Sequence, residues 1–110
     1  MELSYKTDKL RKLCEEPKYN SELVKKYGKD VAKKLPQRIK ELKAFNCLAD
    51  VPSTLPFRRH KLNGNLKNCY AVNINGQYRL IIRQNDNSII IEDLTKIKEI
   101  EIMEVSKHYE

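Results

Sequence analysis

Apolar residues in the first half of the chain recur at steps of three and four, the spacing of amphipathic helices. The first helix is expected to begin at a cap, Thr7 or Asp8, and to end at Pro17. A second is expected to begin at the cap Ser21 and to turn at Gly28. The apolar positions that define these two helices are Leu10, Leu13, Cys14, Leu23, Val24 and Tyr27. Before them, residues 1–6 alternate loosely and predict a short edge strand.

The clearest helical pattern begins at Lys29. Its apolar face consists of Val31, Ala32, Leu35, Ile39, Leu42 and Phe45, and Lys33, Lys34, Arg38, Lys40 and Lys43 occupy the other face. This pattern predicts a long amphipathic helix with a basic outer face, kinked locally at Pro36. Such a face is either a solvated surface or a contact for nucleic acid.

The period changes from 3.6 to 2 after residues 50–56, where two prolines disfavour both helix and strand. Residues 69–74 predict a strand, Asn75-Gly76 a two-residue hairpin turn, and residues 78–83 the return strand. A tight connection at 84–87 is expected to lead to a strand over 88–94, buried on both faces at Ile89–Ile91. Alternation of Ile100, Ile102 and Val105 with polar residues predicts a last strand.

The order of these elements predicts a single domain over residues 1–110 of the α+β class. Two or three N-terminal helices are expected to pack on a curved antiparallel sheet of three to five strands.

Charge is the next informative property. The 110 residues include 22 Lys and Arg against 15 Asp and Glu, a formal net charge of +7. Residues 51–85 contain no carboxylate, and their basic residues are Arg58, Arg59, Lys61, Lys67, Arg79 and Arg83. This uneven distribution predicts a surface for a polyanion more strongly than the total does.

Other classes of protein are disfavoured. The apolar runs are too short for a transmembrane helix, and the first residues lack the apolar region of a secretory signal. Cys14, Cys47 and Cys69 fit neither a disulfide framework nor a zinc site by number and spacing. We therefore expect a cytoplasmic protein with reduced, buried thiols, no metal, no cofactor and no membrane contact.

Two segments resemble a known family. The run His60-Lys61-Leu62-Asn63-Gly64-Asn65 leads into residues 69–81, which end in Tyr78-Arg79-Leu80-Ile81. This resembles the HigB branch of the RelE/ParE toxin superfamily, in which an H-x-L-x-G turn precedes a hairpin ending in Y/W-R-L. The resemblance extends over residues 1–109.

The resemblance implies the RelE-like microbial ribonuclease fold and the toxin of a type II toxin–antitoxin system. The implied activity is ribosome-dependent, metal-independent endoribonuclease cleavage of mRNA, which inhibits translation. The implied partners are a HigA-like helix-turn-helix antitoxin, the ribosome and mRNA. Operator DNA would be bound only through the antitoxin complex.

Metal-free RNA cleavage needs groups that move protons and neutralise the scissile phosphate. By the resemblance, Arg79 is expected to stabilise the phosphate, although it could instead pair with Glu92 or Asp93. His60 matches the family's histidine and is a candidate general base. His108 is a candidate general acid or base, and Tyr109 a base-stacking or proton-transfer partner. A terminus without a role is the alternative for these last two.

Five further cations are candidate RNA-binding residues: Arg58, Arg59, Lys61, Arg83 and Lys107. Period 2 places Arg83 on the same sheet face as Arg79. The tail, Lys107-His108-Tyr109, departs from the Asp-Tyr-His with which many relatives end.

Two alternatives remain open. A ParE-like gyrase poison would share the fold without needing the histidines or the terminal tyrosine. A non-catalytic RNA-binding module would usually alternate aromatic and basic residues along one strand, and Tyr78-Arg79 is a minimal version of that pattern.

Overall fold

Three helices and five strands form the protein, in a computed structural model that describes residues 1–66, 68–84 and 90–108. The helices are α1 (Asp8–Glu15), α2 (Asn20–Tyr27) and α3 (Lys29–Ala44). The strands are β1 (Glu2–Tyr5), β2 (His60–Lys61), β3 (Cys69–Asn73), β4 (Tyr78–Gln84) and β5 (Glu99–Lys107). They make one sheet in the order β1-β5-β4-β3-β2. The predicted α+β class is confirmed.

Local sequence signals account for most of the helix boundaries. Thr7 caps α1, since its hydroxyl oxygen accepts a hydrogen bond from the Leu10 N–H at 3.1 Å. Gly28 joins α2 to α3 with φ = 94°, a conformation that favours glycine. The cap predicted at Ser21 is wrong. A 3-10 turn over Pro17–Tyr19 runs directly into α2, and Ser21 lies inside the first turn of that helix.

Helix α3 continues through Pro36, as the spacing predicted. Its buried positions include Val31, Leu35, Ile39 and Leu42, and Lys33 and Lys40 are exposed. Because proline lacks the N–H that would reach the carbonyl one turn earlier, a helix tolerates it at the expense of one backbone hydrogen bond.

The sheet is mixed, whereas the sequence predicted an antiparallel one. Strand β1 pairs with β5 in parallel, with Leu3 opposite Ile100 and Tyr5 opposite Ile102, and the other pairs are antiparallel. Parallel neighbours need a long connection. Here the three helices and three strands between β1 and β5 provide it.

The β3–β4 hairpin exists, but its turn differs from the two-residue turn predicted for Asn75-Gly76. The Ile74 N–H donates to the Tyr78 carbonyl at 3.0 Å, and the Asn75 side-chain oxygen accepts from the N–H groups of Gln77 and Tyr78. Gly76 has no positive φ. The Asn75 side chain therefore closes a longer turn, in place of the backbone geometry that a two-residue turn requires.

The strand predicted over residues 88–94 is wrong where it can be assessed. Residues 85–89, with the predicted connection and Ile89, lie outside the described residues, and Ile90–Asp93 form no strand. Ile90 is 49% exposed, so the run is not buried on both faces. The Gln84 side-chain amide pairs with the Ile91 backbone, accepting from its N–H at 2.8 Å and donating to its carbonyl at 2.7 Å. A side chain thus supplies the bonds that a strand ladder would have made.

The two faces of the sheet are packed differently. One face packs on the helices, and its strand residues include Tyr70, Val72, Leu80, Ile82, Ile100 and Ile102. The opposite face carries a small cluster of Cys69, Ala71 and Ile81, with Leu62 and Met103 packed against it. No helical residue in the described chain belongs to that cluster, and we call this side the helix-free face. In the described chain, no helix has the length and apolarity needed to cross a membrane.

A buried arginine connects the helices to the hairpin. The prediction that Arg38 lies on the outer face of α3 is wrong: it is 6% exposed, and its guanidinium donates to the carbonyls of Asn73 at 2.8 Å and Ile74 at 3.2 Å. It pairs with Glu41 at 2.8 Å and lies 4.9 Å from the ring centre of Phe57. The buried charge is therefore compensated, and its donors satisfy carbonyls at the end of β3.

Replacement of Arg38 by alanine is expected to lower the free energy of unfolding by roughly 3–5 kcal/mol, because two carbonyls and a partly buried carboxylate would lose their partner. Denaturant unfolding monitored by circular dichroism measures this. Lys40→Ala, at an exposed position on the same helix, should change stability by less than about 0.5 kcal/mol. An Arg38→Ala variant as stable as that control would contradict the assignment.

The three cysteines are buried and unpaired, as the sequence predicted. Burial raises the pKa of the Cys14 thiol to about 12 and also raises the pKa of Cys69. Both thiols are therefore protonated at neutral pH. Because the thiolate is the reactive form, they should react slowly. We expect a thiol reagent at pH 7.5 to modify the native protein at least about 100-fold more slowly than the protein in denaturant. Equal rates in the two states would show that the thiols are accessible.

Candidate functional site

Strand register brings three of the predicted site residues onto the helix-free face. Arg79 on β4 lies between Asn73 of β3 and Ser106 of β5. Arg83, four residues further along β4, lies on the same face opposite Cys69, as period 2 predicted. His60 of β2 is paired with Ala71, which belongs to the cluster on this face.

A β-bulge controls which residues of β5 reach this face. Ile82 pairs with Ile102 and Ile81 with Glu104, so Met103 is an extra residue in the ladder. Ile102 and Val105 both pack on the helix side. A spacing of three residues would place them on opposite faces of a regular strand, and the bulge allows them to share one face. Beyond it, Ser106 faces the same side as Arg79. The alternation continues to His108, whose N–H donates to the Gln77 carbonyl at 2.9 Å.

Polar atoms without partners are concentrated on this side. Within the described ranges, five buried side-chain nitrogen or oxygen atoms have no hydrogen-bond partner: Tyr5 Oη, Asn68 Oδ1, Asn73 Oδ1, Arg79 Nε and His108 Nε2. Three of them form one group, because Asn73 is directly opposite Arg79 and His108 is two residues from Ser106. Buried polar atoms in folded proteins are normally paired. A group of unpaired ones therefore marks a place where a ligand could bind.

Arg79 has no ion-pair partner among the described residues. The alternative pairing with Glu92 or Asp93 does not occur, and in the described chain no carboxylate lies within ion-pair distance of Arg79. The Asp93 side chain instead accepts from the Thr95 N–H at 3.0 Å and the Thr95 hydroxyl at 2.6 Å. These bonds lower the pKa of Asp93.

His60 has a defined ring orientation. Its Nδ1–H donates to the Arg58 carbonyl at 3.0 Å, which leaves Nε2 of the neutral ring free to accept a proton. Three hydrogen bonds fix the loop before it: the Arg58 N–H donates to the Thr54 carbonyl at 2.8 Å, the Arg59 N–H to the Pro52 carbonyl at 3.0 Å, and Arg59 Nε to the Val51 carbonyl at 2.8 Å. Arg58 has φ = 47°, in the left-handed region.

Arg83 and Arg79 share a face but differ in charge environment. The Arg83 guanidinium is ion-paired with Glu101, its neighbour on β5. Glu104 is exposed on the same face, opposite Ile81. The carboxylate-free stretch of sequence therefore meets two carboxylates in the folded chain, and one of them neutralises Arg83.

The remaining predicted residues are placed as follows. Arg58 is exposed, and Arg59 is partly buried by its bond to Val51. Lys61 is exposed on the edge strand β2, and its pairing with Tyr70 directs it to the helix side of the sheet. Lys107 also points to that side, with Nζ 5.9 Å from the ring centre of Tyr78, so it does not join the group around Arg79. Tyr109 lies outside the described residues.

Two residues of this group were missed from the sequence. Asn73 and Ser106 flank Arg79, but neither belongs to a recognisable motif, and only strand register brings them to it. Alternation around Arg79 could have assigned Asn73 to the face, given the correct hairpin register. The described residues include no group of three or more His, Cys, Asp or Glu side chains placed to hold a metal ion.

Comparisons with solved structures support the same fold. A YoeB/ParE toxin from Agrobacterium tumefaciens aligns with 99% of this chain and 100% of its own at 16% identity and a TM-score of 0.54. A point mutant of YafQ from E. coli aligns over 96% and 91% at 16% identity and a TM-score of 0.56. The Staphylococcus aureus YoeB–YefM complex aligns over 99% and 98% at 18% identity and a TM-score of 0.54. At these identities the likeness shows the fold.

A comparison with protein-family models identifies the family of this chain. No curated protein matches the sequence closely enough to add a relative. The model of the RelE-like toxin HigB of type II toxin–antitoxin systems, however, matches residues 3–107, nearly the whole chain. This range includes Arg79, His60 and the bulged strand that leads to His108. The chain therefore belongs to the HigB-like toxin family, the RelE-like toxins of type II toxin–antitoxin systems.

Proposed function

We propose that this toxin is an endoribonuclease that cleaves mRNA on the ribosome and so inhibits translation. The observation that carries the proposal is the group on the helix-free face, where the uncompensated Arg79 lies beside the unpaired atoms of Asn73 and His108. A charged guanidinium with a free N–H is suited to phosphate oxygens. Two imidazoles on the same face, His60 and His108, are suited to proton transfer.

The proposed reaction uses the RNA's own 2′-hydroxyl as nucleophile. One imidazole removes the 2′-OH proton, the 2′-oxygen attacks phosphorus, and the bond from phosphorus to the 5′-oxygen breaks. The other imidazole supplies a proton to that leaving oxygen, which gives a 2′,3′-cyclic phosphate and a 5′-hydroxyl. His60 has its Nε2 free to act as the base, and the two roles are otherwise interchangeable between His60 and His108. Arg79 neutralises the charge that builds up on the phosphate. No metal ion or cofactor takes part in the proposed steps.

Other groups would hold the RNA. Arg58 and Lys61 are exposed on either side of His60, and Arg83 is half-exposed on the face itself. Arg59 would act by fixing the loop that carries His60, through its bond to the Val51 carbonyl. Tyr109 would stack on a base beyond His108, and Lys107 would contribute from the helix side.

The proposed partners follow from the family and the site. One structural neighbour was solved as a YoeB–YefM complex, which supports a cognate antitoxin for this chain. We propose a HigA-like helix-turn-helix protein, with operator DNA bound only through the complex. The ribosome and its mRNA would be the cytoplasmic target. The exposed lysines of α3 are candidate contacts for ribosomal RNA.

Arg79→Ala is expected to reduce mRNA cleavage by about 100- to 1,000-fold, because it removes the charge that stabilises the phosphate. Purified ribosomes programmed with a defined mRNA, followed by mapping of new 5′ ends, measure the rate. Arg11→Ala, an arginine on α1 paired with Asp8 and Glu16, is the matched control and should retain full activity. The Arg79→Ala protein should unfold at or above the wild-type midpoint, because a buried unpaired group is removed, and should bind its antitoxin.

The ribosome assay, together with an assay for DNA breaks in cells that express the toxin, separates the alternatives. Intact mRNA with wild-type toxin would favour a non-catalytic RNA-binding module. Double-strand DNA breaks after induction, without new RNA 5′ ends, would favour a gyrase poison. Cleavage by Arg79→Ala at the wild-type rate would leave a nuclease but contradict the site.

Deletion of Lys107 tests whether the alternation of side chains along the strand directs His108 to the helix-free face. Removing one residue between the bulge and His108 turns the imidazole to the helix side, since successive strand residues alternate. We expect the deletion to lower cleavage by about 100-fold or more. Lys107→Ala, which keeps the phase, should retain most of the activity. Equal rates for the two variants would show that the position of His108 is unimportant.

A further inference from the structure

The sequence contains two Asn-Gly pairs, Asn63-Gly64 and Asn75-Gly76. Asparagine is one of the chemically labile residues of proteins, and it is most labile before glycine. Because glycine has no Cβ, its backbone nitrogen is accessible to the preceding side chain and its backbone adopts many conformations readily. The two pairs have the same covalent structure, so a large difference in their reactivity comes from the fold.

The side chain of Asn75 is restrained by three hydrogen bonds. Its Oδ1 accepts from the N–H groups of Gln77 at 2.9 Å and Tyr78 at 2.8 Å, and its Nδ2 donates to Asp30 Oδ2 at 2.8 Å. These bonds hold the amide in one orientation. A reaction between this side chain and the Gly76 nitrogen therefore requires the turn to open first.

The side chain of Asn63 is unrestrained. It is exposed, and it makes no hydrogen bond in the described chain. The next residue, Gly64, is also exposed and has φ = 69°, and no heavy atom lies within 4 Å of the position that a Cβ would occupy there. The Asn63 amide is thus free to rotate next to an accessible backbone nitrogen.

We propose that Asn63 is a modification site, which deamidates spontaneously and so places a negative charge beside the RNA-binding face. The Gly64 backbone nitrogen loses its proton to a base and forms a bond to Cγ of Asn63. The bond from Cγ to Nδ2 breaks, and Nδ2 leaves as ammonia after taking a proton from water. Water then opens the resulting succinimide at either carbonyl, which gives aspartate or isoaspartate. These steps need water and no oxidant, reductant or enzyme.

The location of Asn63 gives the modification a consequence for RNA binding. Asn63 lies in the loop from β2 to β3, three residues after His60. Leu62 packs on the helix-free face, and Gly64 lines the same recess of that face as Arg83. Deamidation introduces a carboxylate into the stretch of sequence that has none, where it repels the phosphates of RNA. This consequence rests on the proposed function, whereas the deamidation itself does not.

Peptide mapping by mass spectrometry, after incubation of the purified toxin in mildly alkaline buffer, measures conversion at each pair. In the native protein Asn63 should convert at least about tenfold faster than Asn75, because reaction at Asn75 requires local opening. In denaturant the two rates should agree within about twofold, because the restraint on Asn75 is lost. Equal rates in the native protein, or no conversion at Asn63, would overturn the inference.

Cleavage of ribosome-bound mRNA before and after the incubation tests the consequence. Incubated wild-type toxin should lose cleavage rate by about threefold or more as Asn63 converts, because the new charge weakens RNA binding. Asn63→Gln is the matched control and should keep its rate through the incubation, since glutamine forms the corresponding six-membered ring far more slowly. Asn63→Asp should show the loss without incubation, and added salt should reduce that loss. An Asn63→Asp variant as active as wild type would contradict the effect on RNA.

Failure of the proposed function is a separate result. It would appear as intact mRNA with freshly prepared wild-type protein. The conversion at Asn63 is measured by mass on the same protein, so its outcome does not depend on nuclease activity.

Discussion

The buried guanidinium of Arg38 joins the three parts of the chain that build the site. It extends from α3 to the last carbonyls of β3, and its flat side lies against Phe57, three residues before His60. The Asn73 N–H in turn donates to the Phe57 carbonyl at 2.7 Å. Asn73 is directly opposite Arg79. One compensated buried cation, which has no direct part in the proposed chemistry, therefore links the segments on which Arg79 and His60 lie.

Charge on the helix-free face is distributed by the sheet more than by the sequence. The stretch 51–85 has no carboxylate, but β5 adds Glu101 and Glu104 to its open side. Glu101 neutralises Arg83, whereas Arg79 has no carboxylate partner in the described chain. Two arginines on the same face of one strand thus have different charge environments.

Sequence patterns predicted the features that depend on neighbours in the chain. The three helices follow from apolar spacing, the Thr7 cap and Gly28, and the β3–β4 hairpin from alternation on either side of a turn. Two of the errors arose where a side chain replaces backbone pairing. Gln84 takes the hydrogen bonds of Ile91, and Asn75 closes the turn that Gly76 was expected to form. Such side-chain hydrogen bonds produce no periodic pattern of apolar and polar residues in the sequence.

In the candidate site, too, features that depend on neighbouring residues were predicted, and features that depend on contacts distant in sequence were not. Arg79, His60 and His108 were predicted because short motifs and a family resemblance point to single residues. Asn73 and Ser106 are placed beside Arg79 by strand register, which depends on contacts distant in sequence. The odd step from Ile102 to Val105 was visible in the sequence. Its meaning, a bulge that turns His108 to the helix-free face, required the pairing of β4 with β5.

Arg38 and Arg79 show how the fold separates stability from function. Arg38 has a partner for each nitrogen of its guanidinium, and Arg79 Nε is buried with none. A buried unsatisfied group costs about 1–3 kcal/mol, and of the five such atoms in the described chain three, those of Asn73, Arg79 and His108, lie together on the helix-free face. A sequence selected for stability alone would pair or remove these atoms. Their concentration on one face is explained if a bound RNA supplies the missing partners, such as phosphate oxygens for Arg79.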